Sequence, residues 1–441
     1  MAYKSVEDLR QHRVFYHFLE ISKIPRQTFF EKKISDFILN WAKDLGLEVH
    51  QDEKWNLLIR KPATPGYEKQ KPIVIQAHID MVCEKRPEVE HDFIKDPIKL
   101  VLEGDILSTG NRTTLGADDG IGVAMAMAVL EDKTLKHPPV DVILTTAEEE
   151  DMSGALSVDK SWFNTNRLIN IDHIVDNEII AGSCGGIGVD LKFPVEYTKK
   201  TDNYKGYKIK ISGLRGGHSG EDIHKGRANA NVLLANLLNL LREKVNFLIS
   251  NLKGGNFRLA IPREAYVTLA LEEKDADALK DIAKPPNGVS SMIGSLNVVE
   301  SSSNLGEVYI KENYVYLVTE IRATFEKNRD YLYNKIALIG KYLGGELRAF
   351  SAYPSWVYKA HSNLRDIANK VYSDLFGEEI KTLAVHAGLE CGCFVDKIQG
   401  DMDAISIGPN AWDLHSPNER LSVSSTEKVY KFLTKVLENL E

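Results

Sequence analysis

Four short apolar runs do most to constrain how this chain can fold. They lie at residues 73–77 (IVIQA), 140–146 (VDVILTT), 168–171 (LINI) and 402–407 (MDAISI), with a weaker companion at 57–59. Near-continuous runs of this length are the mark of strands buried on both faces, as in a parallel sheet covered by helices. The segments between them read as such helices. Residues 12–24 and 30–45 carry apolar positions at helical spacing, among them Phe37, Ile38, Trp41 and Leu45. Residues 120–130, rich in Ala, Met and Val, read as a helix buried all round. A further helix is expected at 362–376, stopped by Gly377, and another at 424–440. Strands alternating with helices predict an α/β domain with a mostly parallel central sheet.

The texture changes after Gly185 and Gly186. Residues 207–211, 266–271 and 314–321 alternate as half-buried strands do, and 229–243 and 330–343 are amphipathic helices. The stretch 283–306 holds Pro285, Pro286, Asn287 and three serines at 301–303, and reads as a loop. A separate α+β domain at 187–352 is therefore expected, inserted into an α/β domain made of 1–186 and 353–441. There is no internal repeat and no low-complexity segment.

Composition excludes several classes. The 441 residues carry 55 Lys and Arg against 63 Asp and Glu, a formal charge of -8, with no basic stripe of the kind nucleic-acid binders show. No apolar run approaches the ~20 residues of a membrane helix. The first residues, MAYKSVEDLRQ, have no signal-peptide pattern. Four cysteines in so long a chain do not suggest a disulfide framework, and Cys391 and Cys393 are too close for the usual zinc-knuckle spacing. A cytoplasmic location is the expectation.

Chemistry-bearing residues gather just beyond the apolar runs: His78 and Asp80 after the first, Glu148, Glu149 and Glu150 after the second, Asp172 after the third, and His415 beyond the fourth. Asp118 and Asp119 open the 120–130 helix. Singly these have bland readings: a sheet-edge histidine, a solvated charge run, an aspartate capping a helix. Jointly they are specific, because the carboxyl ends of parallel strands converge on one edge. Imidazole and carboxylate donors collected there suit zinc, manganese or cobalt.

The runs QAHIDMVCEK, TLGADDGIGVAMA, TTAEEEDMSGA, INIDH, GGHSGEDIHKGRANAN, VHAGLECG and HSPNE, in this order, resemble the aminoacyl-histidine dipeptidase (peptidase D, carnosinase-like) family. That family belongs to the aminoacylase and carboxypeptidase-G group of dizinc peptidases. The likeness spans about residues 70–420, and HDFIKDP at 91–97 tilts it toward the dipeptidase branch. It implies a metal-bearing catalytic domain, a lid domain that pairs subunits into a homodimer, and two divalent ions, Zn2+ first with Co2+ or Mn2+ as alternatives. His78 and Asp172 would hold one ion, Glu149 and His415 the other, and Asp118 would bridge them. Asp80 would orient His78, and Glu148 would be the general base. Met152, Gly154 and Ala155 set this register within the three glutamates; a shift by one would change both roles. His218 would steady the tetrahedral oxyanion, and Asn229, Arg322 and Glu390 would meet substrate, Glu390 at its amine.

The implied reaction is hydrolysis of unblocked dipeptides, of Xaa-His type and including β-alanyl-histidine. Tripeptidases, carboxypeptidases and N-acyl-amino-acid deacylases share the metal set and stay open as alternatives. A non-catalytic metal-dependent binding protein would have no need of the spare carboxylate of Glu148. A dinucleotide-binding reading fails because GADDGIGVA lacks the G-x-G-x-x-G order.

Overall fold

A computed structural model describes residues 3–199, 202–279, 291–293 and 298–440. The chain divides into two compact units. One comprises residues 1–182, 358–384 and 389–441; the other comprises 183–357 and 385–388.

The first unit is built on an eight-stranded sheet. Its order is Glu48–Gln51, Leu57–Lys61, Val140–Thr145, Ile73–His78, Arg167–Asn170, Asp403–Ser406, Glu178–Ser183, Lys381–Val385. The four middle strands run parallel, and antiparallel strands flank them on both sides. Val140–Thr145 and Ile73–His78 are buried at every position, which explains why both read as unbroken apolar runs. Helix Ala117–Glu131 packs on Ile73–His78 and on helix Arg13–Ile21, and it is buried from Gly120 to Leu130. A side chain that meets protein on all sides needs no polar face, so its sequence shows no amphipathic period. Helix Asn363–Phe376 starts on a Ser362 cap and stops at Gly377, whose positive φ (72°) suits glycine.

A small four-stranded sheet, Ala411–Trp412, Arg420–Ser422, Ile106–Ser108, Val101–Glu103, belongs to the same unit. Its first two strands pair antiparallel, so the chain between them forms a loop, and that loop carries His415.

The second unit holds an antiparallel sheet ordered Tyr204–Ile211, Ala265–Glu272, Leu248–Gly254, Val298–Lys311, Tyr314–Ala323, Gly185–Pro194, Glu346–Tyr353. Ala265–Glu272 alternates strictly between buried and half-buried positions. Its inner residues Ala265, Val267 and Leu269 pack with Ala230, Leu234 and Leu241 of helix Ala230–Arg242. The expected loop at 283–306 is corrected in part. Residues 298–306 belong to strand Val298–Lys311, with Ser301, Ser302 and Ser303 opposite Ala323, Arg322 and Ile321. The polar run misleads because its inward residues are themselves buried: Ser302 meets the His386 ring, and Asn304 donates to the carbonyls of Arg258 and Ala260. Pro285, Pro286 and Asn287 lie outside the described residues.

Candidate metal centre

The parallel strands place the site. Thr145 lies opposite His78, and Asn170 lies opposite Gln76, so the chain leaves three neighbouring strands at one level. His78 ends its strand and Asp80 follows; Glu148 and Glu149 lie just past Thr145; Asp172 lies just past Asn170. Ala147 has a positive φ (55°), and after this turn Glu148 and Glu149 are partly buried while Glu150 is exposed.

Asp118 sits between two imidazoles. Its Oδ1 is 3.1 Å from His78 Nε2 and its Oδ2 is 3.1 Å from His415 Nε2. On the His78 side, Nε2 is also 3.7 Å from Asp172 Oδ1 and 4.0 Å from Glu148 Oε2. On the His415 side, Nε2 is 3.0 Å from Glu149 Oε2. The other ring nitrogen of His78 lies 3.3 Å from Asp80 Oδ1. Asp80 also accepts the backbone N–H groups of Glu148 (3.2 Å) and Glu149 (3.3 Å) and the Thr28 hydroxyl (2.9 Å). Asp119, buried beside Asp118, accepts the His78 N–H instead.

The electrostatics of this cluster are strained without cations. Burial, reinforced by neighbouring carboxylates, pushes the Asp172 carboxyl up to about 7 and holds Glu148 well above its ordinary range. Burial alone would lower His78, yet hydrogen bonds to Asp118, Asp172 and Asp80 hold it well above the usual imidazole value. Asp118 goes the other way: burial opposes its charge, but the His415 and His78 rings override that and lower it. Among the described residues, the ion pairs of these carboxylates are with histidines alone. Glu149 Oε1 is buried with no hydrogen-bond partner. His78, Asp118 and Glu149 offer ligand atoms within 4.8 Å of one another, and so do His78, Asp119 and Asp172. Oxygen and imidazole donors, crowded carboxylates and an open buried oxygen fit divalent cations, which would replace protons and relieve the repulsion.

Glu390 is completely buried in the same unit. Its Oε2 accepts from Gln76 Nε2 (2.5 Å) and Thr145 Oγ1 (2.6 Å), and burial pushes its carboxyl up to about 8. The remaining expected residues lie in the second unit. His218 Nδ1 accepts the Glu221 N–H (3.0 Å), which places the ring proton on Nε2. Arg322 is 3% exposed; it donates to the Tyr353 hydroxyl (2.7 Å), and its Nε has no hydrogen-bond partner. Asn229 caps helix Ala230–Arg242: its side-chain oxygen accepts the N–H groups of Asn231 and Val232, while its amide donates to Asn304 and Leu305.

The model of peptidase family M20/M25/M40 matches residues 74–439. The chain belongs to this family. It is 35% identical to the cytosol non-specific dipeptidase of Escherichia coli K12, over 96% of both chains. In structure it is similar to the aminoacylhistidine dipeptidase of Vibrio alginolyticus, with a TM-score of 0.78, 31% identity, and 100% and 99% of the two chains covered. The aminopeptidase PepT of Bacillus cereus shares the family fold at a TM-score of 0.61 and 18% identity, over 98% of both chains.

Two residues beside this cluster escaped sequence reasoning. Glu419 lies in the HSPNE run, where only the histidine drew notice, and Arg26 lies in IPRQT, which has no pattern to flag it. Both act through backbone hydrogen bonds, which leave no signature of residue type.

Proposed function

We propose that this peptidase is a dinuclear metallo-dipeptidase acting on short peptides with a free amino end. One observation carries the reading: Asp118 stands between two histidine–carboxylate groups, and one carboxylate, Glu148, is left over beside them. His78 and Asp172 would hold one ion, Glu149 and His415 the other, with Asp118 shared. Three carboxylates and a hydroxide would balance the four charges of two divalent ions, as a partly buried site requires. Zinc is the first candidate from this donor set, with cobalt and manganese next. When bound, the ions supply Lewis acidity that acidifies water and polarises the peptide carbonyl.

The chain's own residues do the rest. Asp80 fixes the His78 ring and, through two N–H groups, the backbone that carries Glu148 and Glu149. Glu148 takes a proton from the attacking water and returns it to the leaving nitrogen. Its place beside the ligand set, with Oε2 4.0 Å from His78 Nε2, suits both halves of that task. A non-catalytic binding protein would gain nothing from such a group.

Support for the second-unit roles comes from that unit alone. A donor Nε2–H on His218 suits a developing oxyanion. Arg322 is a buried cation with no carboxylate ion pair among the described residues, which suits a substrate carboxylate. Asn229 has its polar atoms engaged in capping, so we assign it to shaping the unit. Glu390 is tied to Gln76 and Thr145 through Oε2, while its Oε1 is buried with no hydrogen-bond partner, which supports a role facing the substrate amine. Helix Glu326–Tyr342 exposes Tyr331 (65%), Leu338 (70%) and Tyr342 (87%), seven and four residues apart and so on one face. This apolar face supports a homodimer formed through the second unit. No described helix is long and apolar enough to cross a membrane; we propose a cytoplasmic site of action, in keeping with the named location of the E. coli relative.

The E. coli relative is named non-specific and the Vibrio structure is named for aminoacyl-histidine, so preference for C-terminal histidine is the finer question. The test is hydrolysis of dipeptides, tripeptides and N-acetylated amino acids by the zinc-loaded protein, beside a chelator-treated control. Chelator-sensitive cleavage of unblocked dipeptides, strongest for Xaa-His and including β-alanyl-histidine, is expected. Cleavage chiefly of tripeptides or acylated amino acids would move the protein to a sister activity of the family.

A further inference from the structure

Glu419 is 2% exposed, and its carboxylate is wrapped by the backbone of residues 115–118. Oε2 accepts the N–H groups of Leu115 (2.8 Å) and Gly116 (3.1 Å); Oε1 accepts those of Ala117 (2.8 Å) and, at a longer 3.4 Å, Asp118. These N–H groups belong to the irregular segment that leads into the helix, where Gly116 is left-handed and Asp118 and Asp119 are non-helical, so they need an acceptor from elsewhere in the chain. The opposite side of the same segment is held by a cation. Arg26, 3% exposed, donates to the Gly116 carbonyl through Nη2 and to the carbonyls of Asp80 (2.9 Å) and Ile79 (3.2 Å) through Nη1. The Gly116 residue is thus gripped at both its polar groups. It has a positive φ (69°), and a Cβ there would come within 2.5 Å of Arg26 Nη2 and 2.8 Å of Met81 Sδ. The left-handed backbone favours glycine there, and a larger residue would have to displace the ends of both side chains.

Glu419 lies four residues beyond His415 on the loop between Ala411–Trp412 and Arg420–Ser422. One side chain therefore fastens the loop that presents His415 to the segment that presents Asp118, and these two residues face each other at 3.1 Å. We propose that Glu419 is a positioning residue that sets the His415–Asp118 spacing, and with it the affinity of the metal position on the His415 side. The proposal rests on the dinuclear reading above. His78 is a strand end and Asp80 braces it, so its side of the site is fixed by the sheet. His415 stands on a loop, its side chain 45% exposed; Arg420 braces that loop at Asp413 (2.7 Å) and Arg86 at Asn418 (2.8 Å), and Glu419 ties it to the segment that carries Asp118.

Glu419→Gln keeps the shape but turns one acceptor atom into an amide NH2, leaving two of the four N–H groups without an acceptor. The experiment titrates metal-free wild type and Glu419→Gln with Zn2+ against a chromophoric chelator. It also records the Co2+ absorption spectrum, kcat and KM separately, and thermal unfolding of the metal-free proteins. Loss of an outer-sphere partner weakens metal binding by about 10–100-fold. The expected result is one zinc bound as in wild type, the second weakened by that factor, a changed Co2+ spectrum, kcat lowered and restored by added zinc, and KM within about two-fold. Glu419→Asp, one methylene shorter with both acceptors kept, should show the same pattern more mildly and serves if the glutamine variant does not fold. Wild type binding two zinc ions while a folded variant binds both as tightly, with an unchanged Co2+ spectrum, overturns the proposal and leaves Glu419 a brace for stability alone. Wild type binding fewer than two zinc ions overturns the dinuclear reading and the proposal with it.

Discussion

Replacing Asp80 separates two jobs that one carboxylate performs. The side chain is completely buried, and its oxygens face four groups: His78 Nδ1, the N–H of Glu148, the N–H of Glu149 and the Thr28 hydroxyl. Asp80→Ala leaves two backbone N–H groups and a hydroxyl without their acceptor. Each buried orphan costs about 1–3 kcal/mol, and since both backbone bonds are long, a total of roughly 3–4 kcal/mol is expected. Independently, His78 loses the partner that fixes its tautomer, which lowers metal affinity by about 10–100-fold, or ~1.4–2.7 kcal/mol. Asp80→Asn divides the two effects. Its oxygen can still accept from Glu148, and Thr28 can turn to accept from the amide, but the amide faces the Glu149 N–H and carries no charge toward His78. About half the stability should return while metal affinity stays low. Urea unfolding of the metal-free proteins reads the first quantity, and zinc competition against a chelator reads the second. If Asp80→Ala unfolds early yet binds zinc within two-fold of wild type, the argument that Asp80 governs His78 is wrong.

Glu148→Gln should bind metal as wild type does and lose about 10²–10⁴-fold in kcat; retained turnover would place the base elsewhere. The metal-free form of that variant should be at least as stable as wild type by urea unfolding, since one carboxylate leaves a crowded, buried cluster. Arg322→Ala should raise KM for free dipeptides by about 10–100-fold, the worth of a charge-assisted hydrogen bond, and change hydrolysis of C-terminally amidated peptides far less; equal losses on both would remove the carboxylate-binding role. Leu338→Asp, at a site 70% exposed, should leave thermal stability unchanged and shift sedimentation from dimer to monomer, and an unshifted dimer would place the interface on another face.

What the sequence made legible follows from where each signal lives. Strands buried on both faces must be apolar throughout, so 73–77 and 140–146 announced a covered parallel sheet, and donors just past their ends announced its functional edge. The serines at 301–303 misled for a complementary reason. The rule that polar runs are loops assumes that polar means exposed, and here Ser302 and Asn304 are buried in a hydrogen-bonded interior. Composition alone does not distinguish those cases, because the partners are remote: His386 lies 84 residues from Ser302. The same remoteness hides Glu419, whose four backbone partners lie some 300 residues away and have no side-chain identity to betray them. The order within Glu148, Glu149 and Glu150 is an intermediate case. Three like residues carry no internal distinction. The distinction comes from Ala147, whose left-handed turn is pinned by Glu31 accepting its N–H at 3.0 Å. A non-glycine residue held there stores strain of about 1–2 kcal/mol. The turn's product is two consecutive carboxylates of unlike place, Glu148 Oε2 at 4.0 Å from the His78 ring and Glu149 Oε2 at 3.0 Å from the His415 ring.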